Sequence, residues 1–305
     1  MATVAKSRGS TLGRESVREA LVGYAFVALP IASFLIFFMY PLGYAFYISY
    51  FDWGALGKIE NVGLGNYREI VHDDLFGHAL RNTLRYAVIV VPSQMALGLA
   101  LAVTVNQALR FRTFFRAAFY FPAVAGSIAI TAVATYILSS DGLLNAGISA
   151  VRGSEYHHSW FGESSTALES IMALNIWTTS GTMMLFYLAS LQSIPTDVYE
   201  AAAIDGAGSW RTFWKVTFPL LKPGHFFVAV VSVIGSLQVF DQAFFVSAGS
   251  GGPNYSTMTI VLYLFNTAID GVRFGYASAI GIVLFAIIAT LTLIQRLLFG
   301  RAEVA

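Results

Sequence analysis

ALVGYAFVALPIASFLIFFMYPLGYAFYISYF, residues Ala20–Phe51, runs for 32 residues without an Asp, Glu, Lys or Arg. An α-helix rises about 1.5 Å per residue and the hydrocarbon core of a bilayer is about 30 Å thick, so this stretch is long enough to cross a membrane. A basic segment holding Lys6, Arg8, Arg14 and Arg18 precedes it. The apolar run is too long for the h-region of a cleaved signal and lacks a small-residue cleavage site. Residues 1–19 are therefore expected to be a tail, and the run behind them a start-transfer helix.

Outward from this stretch, the charges act as rulers, because an unpaired charge at mid-bilayer is costly. Charge-free segments recur at Tyr86–Leu109, Ala117–Ser140, Ser170–Pro195 and Phe274–Gln295. A sixth, Gly224–Phe240, is near the minimum length and is expected to run through Asp241 to Val246. The reading is an all-α integral membrane protein with six transmembrane helices over 20–296 and a short tail at 297–305. Composition agrees: 56% of the 305 residues are hydrophobic and only 11% charged, against roughly 25% in soluble domains. Mean hydropathy is +0.66. This excludes a secreted enzyme, and a net charge of +1 points to no nucleic acid. The absence of Cys excludes thiolate catalysis and Cys-ligated metals.

Lys and Arg decide the orientation. With six crossings and the N-terminus inside, twelve of them fall on the cytoplasmic side and six outside, which favours N-in, C-in. Pro30, Pro41, Pro92 and Pro122 lie within the first three spans and are expected to kink rather than break them. In the first outer loop, Asp52–Arg85, residues Arg68–Arg85 mix apolar and charged side chains as an interfacial helix would. Asp141–Glu169 and Ser247–Thr257 read as loops.

Between the fourth and fifth spans lies a cytoplasmic loop, 197–223, whose sequence is unlike a plain connector. Thr196 or Asp197 is placed to cap a helix running through Glu200, Ala201, Ala202 and Ala203, and Asp205-Gly206 supplies a turn. Ser209 is placed to cap a second helix carrying Trp210, Phe213 and Trp214 on one face. Pro219 and Pro223 then lead into the fifth span. A helical elbow topped with small residues suits docking into a groove on a soluble partner.

Glu200-Ala201-Ala202, Gly206 three residues on, and Val216, Phe218 and Pro219 nine residues beyond that resemble the EAA loop of ABC importer membrane subunits, with Val and Phe in place of the commoner Ile and Leu. Ile194-Pro195 and Asp205-Gly206-Ala207 resemble its carbohydrate, maltose-type group. So do Gly63-Leu64-Gly65-Asn66-Tyr67, Asn82-Thr83-Leu84, Phe121-Pro122, Phe240-Asp241, Gly251-Gly252-Pro253, Thr257 and Gly275-Tyr276-Ala277-Ser278-Ala279. Two departures are the short loop 52–85, which has no room for the large periplasmic domain of the enterobacterial maltose subunit, and a slightly longer Ser247–Ser250. The resemblance implies a permease subunit in a bacterial or archaeal cytoplasmic membrane. Its partners would be a second permease, two ATPase chains carrying ATP and Mg, and an extracytoplasmic solute-binding protein. The chain itself has no phosphate-binding P-loop and is expected to hold no cofactor or metal. In this reading Glu200, Ala201, Ala202, Asp205, Gly206 and Pro219 form the coupling joint.

A sugar is recognised by neutral hydrogen-bonding groups, and two helix faces offer them. Asn175, Thr178, Thr179 and Thr182 share one face of the fourth span; Gln238, Asp241 and Gln242 share one of the fifth. The resemblance further implies sugar contact at Asn175 and Gln242. Alternative readings of the Thr set are bonding to carbonyls one turn back, or interhelical packing. His157-His158 lacks metal-ligand spacing, and His225 is expected at the membrane interface. Alternative cargoes are a glycerol-phosphate-like polyol or another non-sugar solute. An ion-coupled secondary transporter would need intramembrane charge that this sequence lacks, and an intramembrane enzyme would need a nucleophile with a base.

Overall fold

The computed structural model describes residues 11–107 and 110–299. Lys6, Arg8 and Arg301 of the charge count lie outside the described residues, as does Leu109, the expected end of the second span. Five helical spans are long and apolar enough to cross a membrane: Glu19–Ile48, Asp74–Asn106, Ala167–Gln192, Lys222–Ser247 and Phe274–Phe299. The pair Arg112–Val124 and Ser127–Ile137, bent by 93°, makes a sixth if taken as one crossing.

The first span comprises α1 (Thr11–Phe34), a π turn (Leu35–Met39) and α2 (Tyr40–Ile48). Helix therefore begins eight residues before the expected boundary at residue 19. The apolar stretch of this span is not buried; among the described residues it packs through α2, against the last span, Phe274–Phe299, and the hairpin that follows. The π turn has a cause in the sequence. Pro41 cannot donate to the carbonyl one turn back, and the widened turn, closed by Tyr40 N to Leu35 O, gives its ring room. The same device recurs at Phe213–Thr217, ahead of Pro219.

Two strands, β1 (Phe51–Gly54) and β2 (Gly57–Asn61), pair antiparallel, a hairpin the sequence reading did not anticipate. After α3 (Gly65–His72), the long α4 (Asp74–Asn106) carries the second span. The expected interfacial helix at 68–85 is thus corrected: the chain breaks at Asp73, and 74–85 is the first part of the span itself. Asp73 causes the break by capping α4, its Oδ1 accepting from Leu75 N at 2.9 Å and Phe76 N at 3.1 Å.

The third span differs most from expectation. Instead of one kinked helix over 117–140, α5 (Arg112–Val124) and α6 (Ser127–Ile137) meet at Ala125-Gly126. Pro122 removes one backbone bond just before the gap, and non-helical backbone at such depth is tolerated where it lines a cavity. Helix α7 (Leu143–Arg152) lies in what was read as a loop, and α8 (Ala167–Gln192) is the fourth span.

Then come α9 (Thr196–Ile204), α10 (Ser209–Thr212), α11 (Phe218–Leu220) and α12 (Lys222–Leu237). The fifth span is not one helix through Val246: it breaks at Gln238–Phe240 and resumes as α13 (Asp241–Ser247). Helix α14 (Ile260–Ile269), read from sequence as no element, precedes α15 (Phe274–Phe299), the last span.

The core sits between α4 and α8, where glycine permits contact no side chain would. A Cβ on Gly98 would lie 2.6 Å from Met183 Cβ, and one on Gly181 would lie 2.2 Å from the Phe119 carbonyl of α5. Tyr86, Val90, Ile171, Leu237, Ile260 and Ile280 fill one half of the core, and Met184, Tyr187, Leu221 and Val228 the other. His225 belongs to this second half. Expected at the interface, it is 9% exposed, with Nδ1 3.0 Å from Tyr187 Oη and Nε2 3.2 Å from Phe218 O. Seven residues beyond Phe218, the end of an aromatic-rich turn, it is covered by Phe218 and Tyr187, which sequence spacing does not reveal.

Candidate functional site

The break in the third span opens a cavity of about 180 Å³. Its wall on one side is the α5–α6 elbow, through Pro122, Ser127 and Thr131. On the other it is the face of α8 holding Asn175, Thr178, Thr179 and Thr182, joined by Gln242 of α13. Five of the seven side chains proposed from sequence for substrate thus meet on one cavity. Gln238 and Asp241 do not: both are exposed, Gln238 at the break after α12 and Asp241 in the first turn of α13. The break at 238–240 interrupts the helical spacing between Gln238 and Gln242, while Asp241 lies beside Gln242 in α13 but is exposed and does not line the cavity.

The hydroxyls of α8 are tied back as one alternative reading held. Thr178 Oγ1 donates to Asn175 O at 3.1 Å, and Thr179 Oγ1 lies 2.7 Å from that same carbonyl. Thr179 Oγ1 is also 2.7 Å from Gln94 Oε1. Gln94 is 3% exposed and was missed in the sequence. The signal was there: it is the only amide side chain between Tyr86 and Val105. Ser127 and Thr131 were missed because nothing in their spacing announces a break.

At one end of the bundle, α9 and α10 form the elbow. Glu200, Ala201 and Asp205 are exposed, whereas Ala202 is buried at 8% against the chain's own structure. Ala202 was expected to face a partner; its side chain instead packs inward, while Ile204 stands 87% exposed beside Ala201. The turn is closed twice, by Gly206 N to Ala203 O at 3.0 Å and Ala207 N to Ala202 O at 2.9 Å. Gly206 has φ +70°, the left-handed conformation that this closure requires and that glycine adopts without strain. The expected caps do not form: Pro195 and Gly208 occupy the N-cap positions, without side-chain bonds. Proline fixes the extended backbone before α9, and glycine does the same before α10 at no steric cost. Pro219 lies in the first turn of α11.

At the opposite end, the motifs scattered through the sequence converge. Asn66 Nδ2 donates to Ser49 O at 2.8 Å and Phe51 O at 3.0 Å, pinning the hairpin. A Cβ on Gly275 would lie 2.0 Å from Phe51 O, so only glycine lets α15 meet it. Asn82 Nδ2 donates to Tyr255 O and Met258 O at 2.9 and 3.0 Å, and Thr83 Oγ1 accepts from Ile260 N at 3.0 Å. Gly251 and Gly252, with φ +83° and +77°, turn the chain so that it can be held this way. Arg273 and Glu69 pair through two bonds of 2.8 and 2.7 Å, which raise the guanidinium pKa. No group of three or more His, Asp or Glu suited to a metal occurs among the described residues.

Comparison with known proteins places this architecture. Residues 94–304 match the family model described as the binding-protein-dependent transport system inner membrane component. A lactose transport system permease protein of Rhizobium radiobacter, LacF, is 34% identical over 290 residues, covering 94% of this chain and 97% of that one. YesP of Bacillus subtilis (strain 168), a probable ABC transporter permease protein, is 33% identical over 279 residues, 91% and 90% of the two chains. The multiple sugar-binding transport system permease protein MsmF of Streptococcus mutans serotype c is 32% identical over 283 residues, 92% and 96%. In fold, the chain is similar to a subunit of a bacterial ABC transporter involved in the import of the acidic polysaccharide alginate, with a TM-score of 0.80 at 21% identity over 95% of this chain and 98% of that one. With several apolar spans, a family model matched over most of its length and relatives above 30% identity, the chain belongs to the inner membrane components of binding-protein-dependent ABC transport systems.

Proposed function

We propose that this chain is one of two permease halves of an importer that carries a carbohydrate across the bacterial cytoplasmic membrane. The sugar is delivered by an extracytoplasmic solute-binding protein, and two partner ATPases supply the work from ATP and Mg. The observation that carries the reading is the cavity: Asn175, Thr178, Thr179, Thr182 and Gln242, all neutral and hydrogen-bonding, converge from two helices beside a broken span. Named substrates of the relatives, lactose among them, support the same cargo class.

The elbow is the coupling joint. Glu200, Ala201 and Ile204 present a small acidic-apolar face suited to a groove with a basic rim on an ATPase, and the turn at Gly206 holds α9 rigid against α10. With N-in, C-in orientation the elbow lies in the cytoplasm and the cage around Asn66, Asn82 and Gly275 lies outside, near the binding protein. Closure of the ATPases would draw paired elbows together and swing the spans as rigid bodies, opening the cavity to one side at a time.

The test is purification of the tagged chain in mild detergent, with identification of the proteins that accompany it and assay of ATPase activity. An ATPase and a second permease in the eluate are expected. A chain that emerges alone and without ATPase activity, even after crosslinking at α9, refutes the importer assembly.

A further inference from the structure

We infer that the threonines Thr131, Thr178 and Thr179 make one part of the cavity wall an acceptor surface, which takes the O–H groups of a neutral saccharide in a lining without positive charge that rejects saccharides carrying carboxylate or phosphate. The inference rests on the carbohydrate reading above and narrows its substrate class. A hydroxyl has one proton and two lone pairs. Thr131 Oγ1 donates to Ser127 O at 2.7 Å, and Thr178 Oγ1 to Asn175 O at 3.1 Å. Thr179 Oγ1 has Asn175 O and Gln94 Oε1 both at 2.7 Å, so its proton is spent inside the protein whichever partner it takes. All three hydroxyls line the cavity, and what they have left to offer is lone pairs.

The other polar lining groups, Ser127, Asn175, Thr182 and Gln242, are neutral, and the described lining holds no Lys, Arg or His. An anionic oxygen entering here would meet the lone pairs of these three threonines and, beyond the neutral amides and hydroxyls of Asn175, Gln242, Ser127 and Thr182, find no fixed positive charge to offset its lost hydration, which is strongly unfavourable. A sugar hydroxyl meets the opposite situation: it can donate to a threonine and accept from an amide. Gln94, buried behind the wall on α4, is the positioning residue. Together with Asn175 O it holds the Thr179 proton inside the wall, which keeps that hydroxyl turned as an acceptor.

The experiment uses the assembled complex of both permeases and both ATPases in detergent, without the binding protein, so that only the membrane site selects. Saturation-transfer NMR compares neutral oligosaccharides such as lactose and maltotriose with uronic-acid oligosaccharides of equal length. Neutral probes are expected to bind about tenfold or more tightly than uronides, the scale of a few exchanged hydrogen bonds. Comparable binding of uronides overturns the acceptor surface while leaving the carbohydrate reading in place; binding of neither class overturns both.

At the residue level, Thr179→Val keeps the shape but removes the lone pairs, and is expected to raise KM for a neutral sugar several-fold, with Thr179→Ser restoring it. Gln94→Leu removes one of the two acceptors that hold the Thr179 proton and should lower the neutral-to-uronide preference. A loss of packing alone would lower protein yield without moving that ratio. An unchanged ratio in Gln94→Leu, or Val and Ser variants that behave alike, counts against the proposal.

Discussion

Asp73 Oδ2 accepts the phenol proton of Tyr276 at 2.6 Å across 203 positions of sequence, and it also accepts that of Tyr263. One carboxylate thereby ties the start of α4 to α14 and α15 while its other oxygen caps α4. Burial raises the carboxyl pKa, but the bonds from Tyr263, Tyr276 and the two backbone amides outweigh it and hold the value below the ordinary 3.8. A lowered folded-state pKa means that the stabilisation is present above the unfolded pKa and is lost as pH falls through the folded one.

Asp73→Ala is expected to lower the thermal midpoint in detergent at neutral pH, the cap alone contributing about 0.5–2 kcal/mol. The gap between variant and wild type should begin to narrow below about pH 4, where the unfolded carboxylate takes up its proton, and close only once pH has fallen past the lower folded-state value. A gap that persists unchanged at low pH would show that the charge plays no part. Thermal melts followed by intrinsic fluorescence across this range are sufficient.

Gly206→Ala meets open space but a left-handed backbone, φ +70°. A cost of about 1–2 kcal/mol is expected at the turn, with normal amounts in the membrane and slower sugar-stimulated ATP hydrolysis. Gly206→Pro also deletes the bond to Ala203 O and should abolish coupling. Full transport by the Pro variant would mean that the turn is not a rigid joint.

Glu200→Lys and Ile204→Asp change the exposed face of α9 without touching the core. Each should leave insertion intact and lower recovery of the ATPase in co-purification. Ala202→Leu should act differently, destabilising the chain itself because Ala202 is buried. If the three variants give one common phenotype, the division between an outward and an inward face of α9 fails.

Asn175→Ala and Gln242→Ala are expected to cut sugar uptake while leaving ATPase association unchanged, as measured by radiolabelled uptake and pull-down of the same preparations. Two silent variants would remove the cavity from the transport pathway.

Gly181→Ala puts a Cβ 2.2 Å from the Phe119 carbonyl. Backbone meets backbone there, and overpacking of this kind costs about 1–3 kcal/mol. A lowered melting temperature is expected; an unchanged one would mean that α5 moves away freely.

Charge-free length alone picked out the stretches in which the long apolar helices lie, because the cost of desolvating a charge acts residue by residue and needs no partner. Helical spacing likewise placed Asn175, Thr178, Thr179 and Thr182 on one face, since α8 is unbroken. The same arithmetic failed for Gln238, which the helix break at 238–240 separates from Gln242, and for Asp241, which shares α13 with Gln242 but is exposed. It also missed Ser127 and Thr131, which line the cavity, and Gln94, which stands behind its wall against Thr179; all three join the site only through packing with α8.

Sequence by itself therefore determined that the chain is a membrane bundle with a glycine-turned elbow, because hydration cost, helix periodicity and the left-handed freedom of Gly206 are local properties. Only the tertiary structure decided where the third and fifth spans break, which face of α9 carries Ala202 inward, and which polar groups meet across α4, α6, α8 and α13. Those outcomes depend on contacts between distant segments, such as Gly181 against Phe119 and Thr179 against Gln94, whose energies exist only once the helices have been brought together.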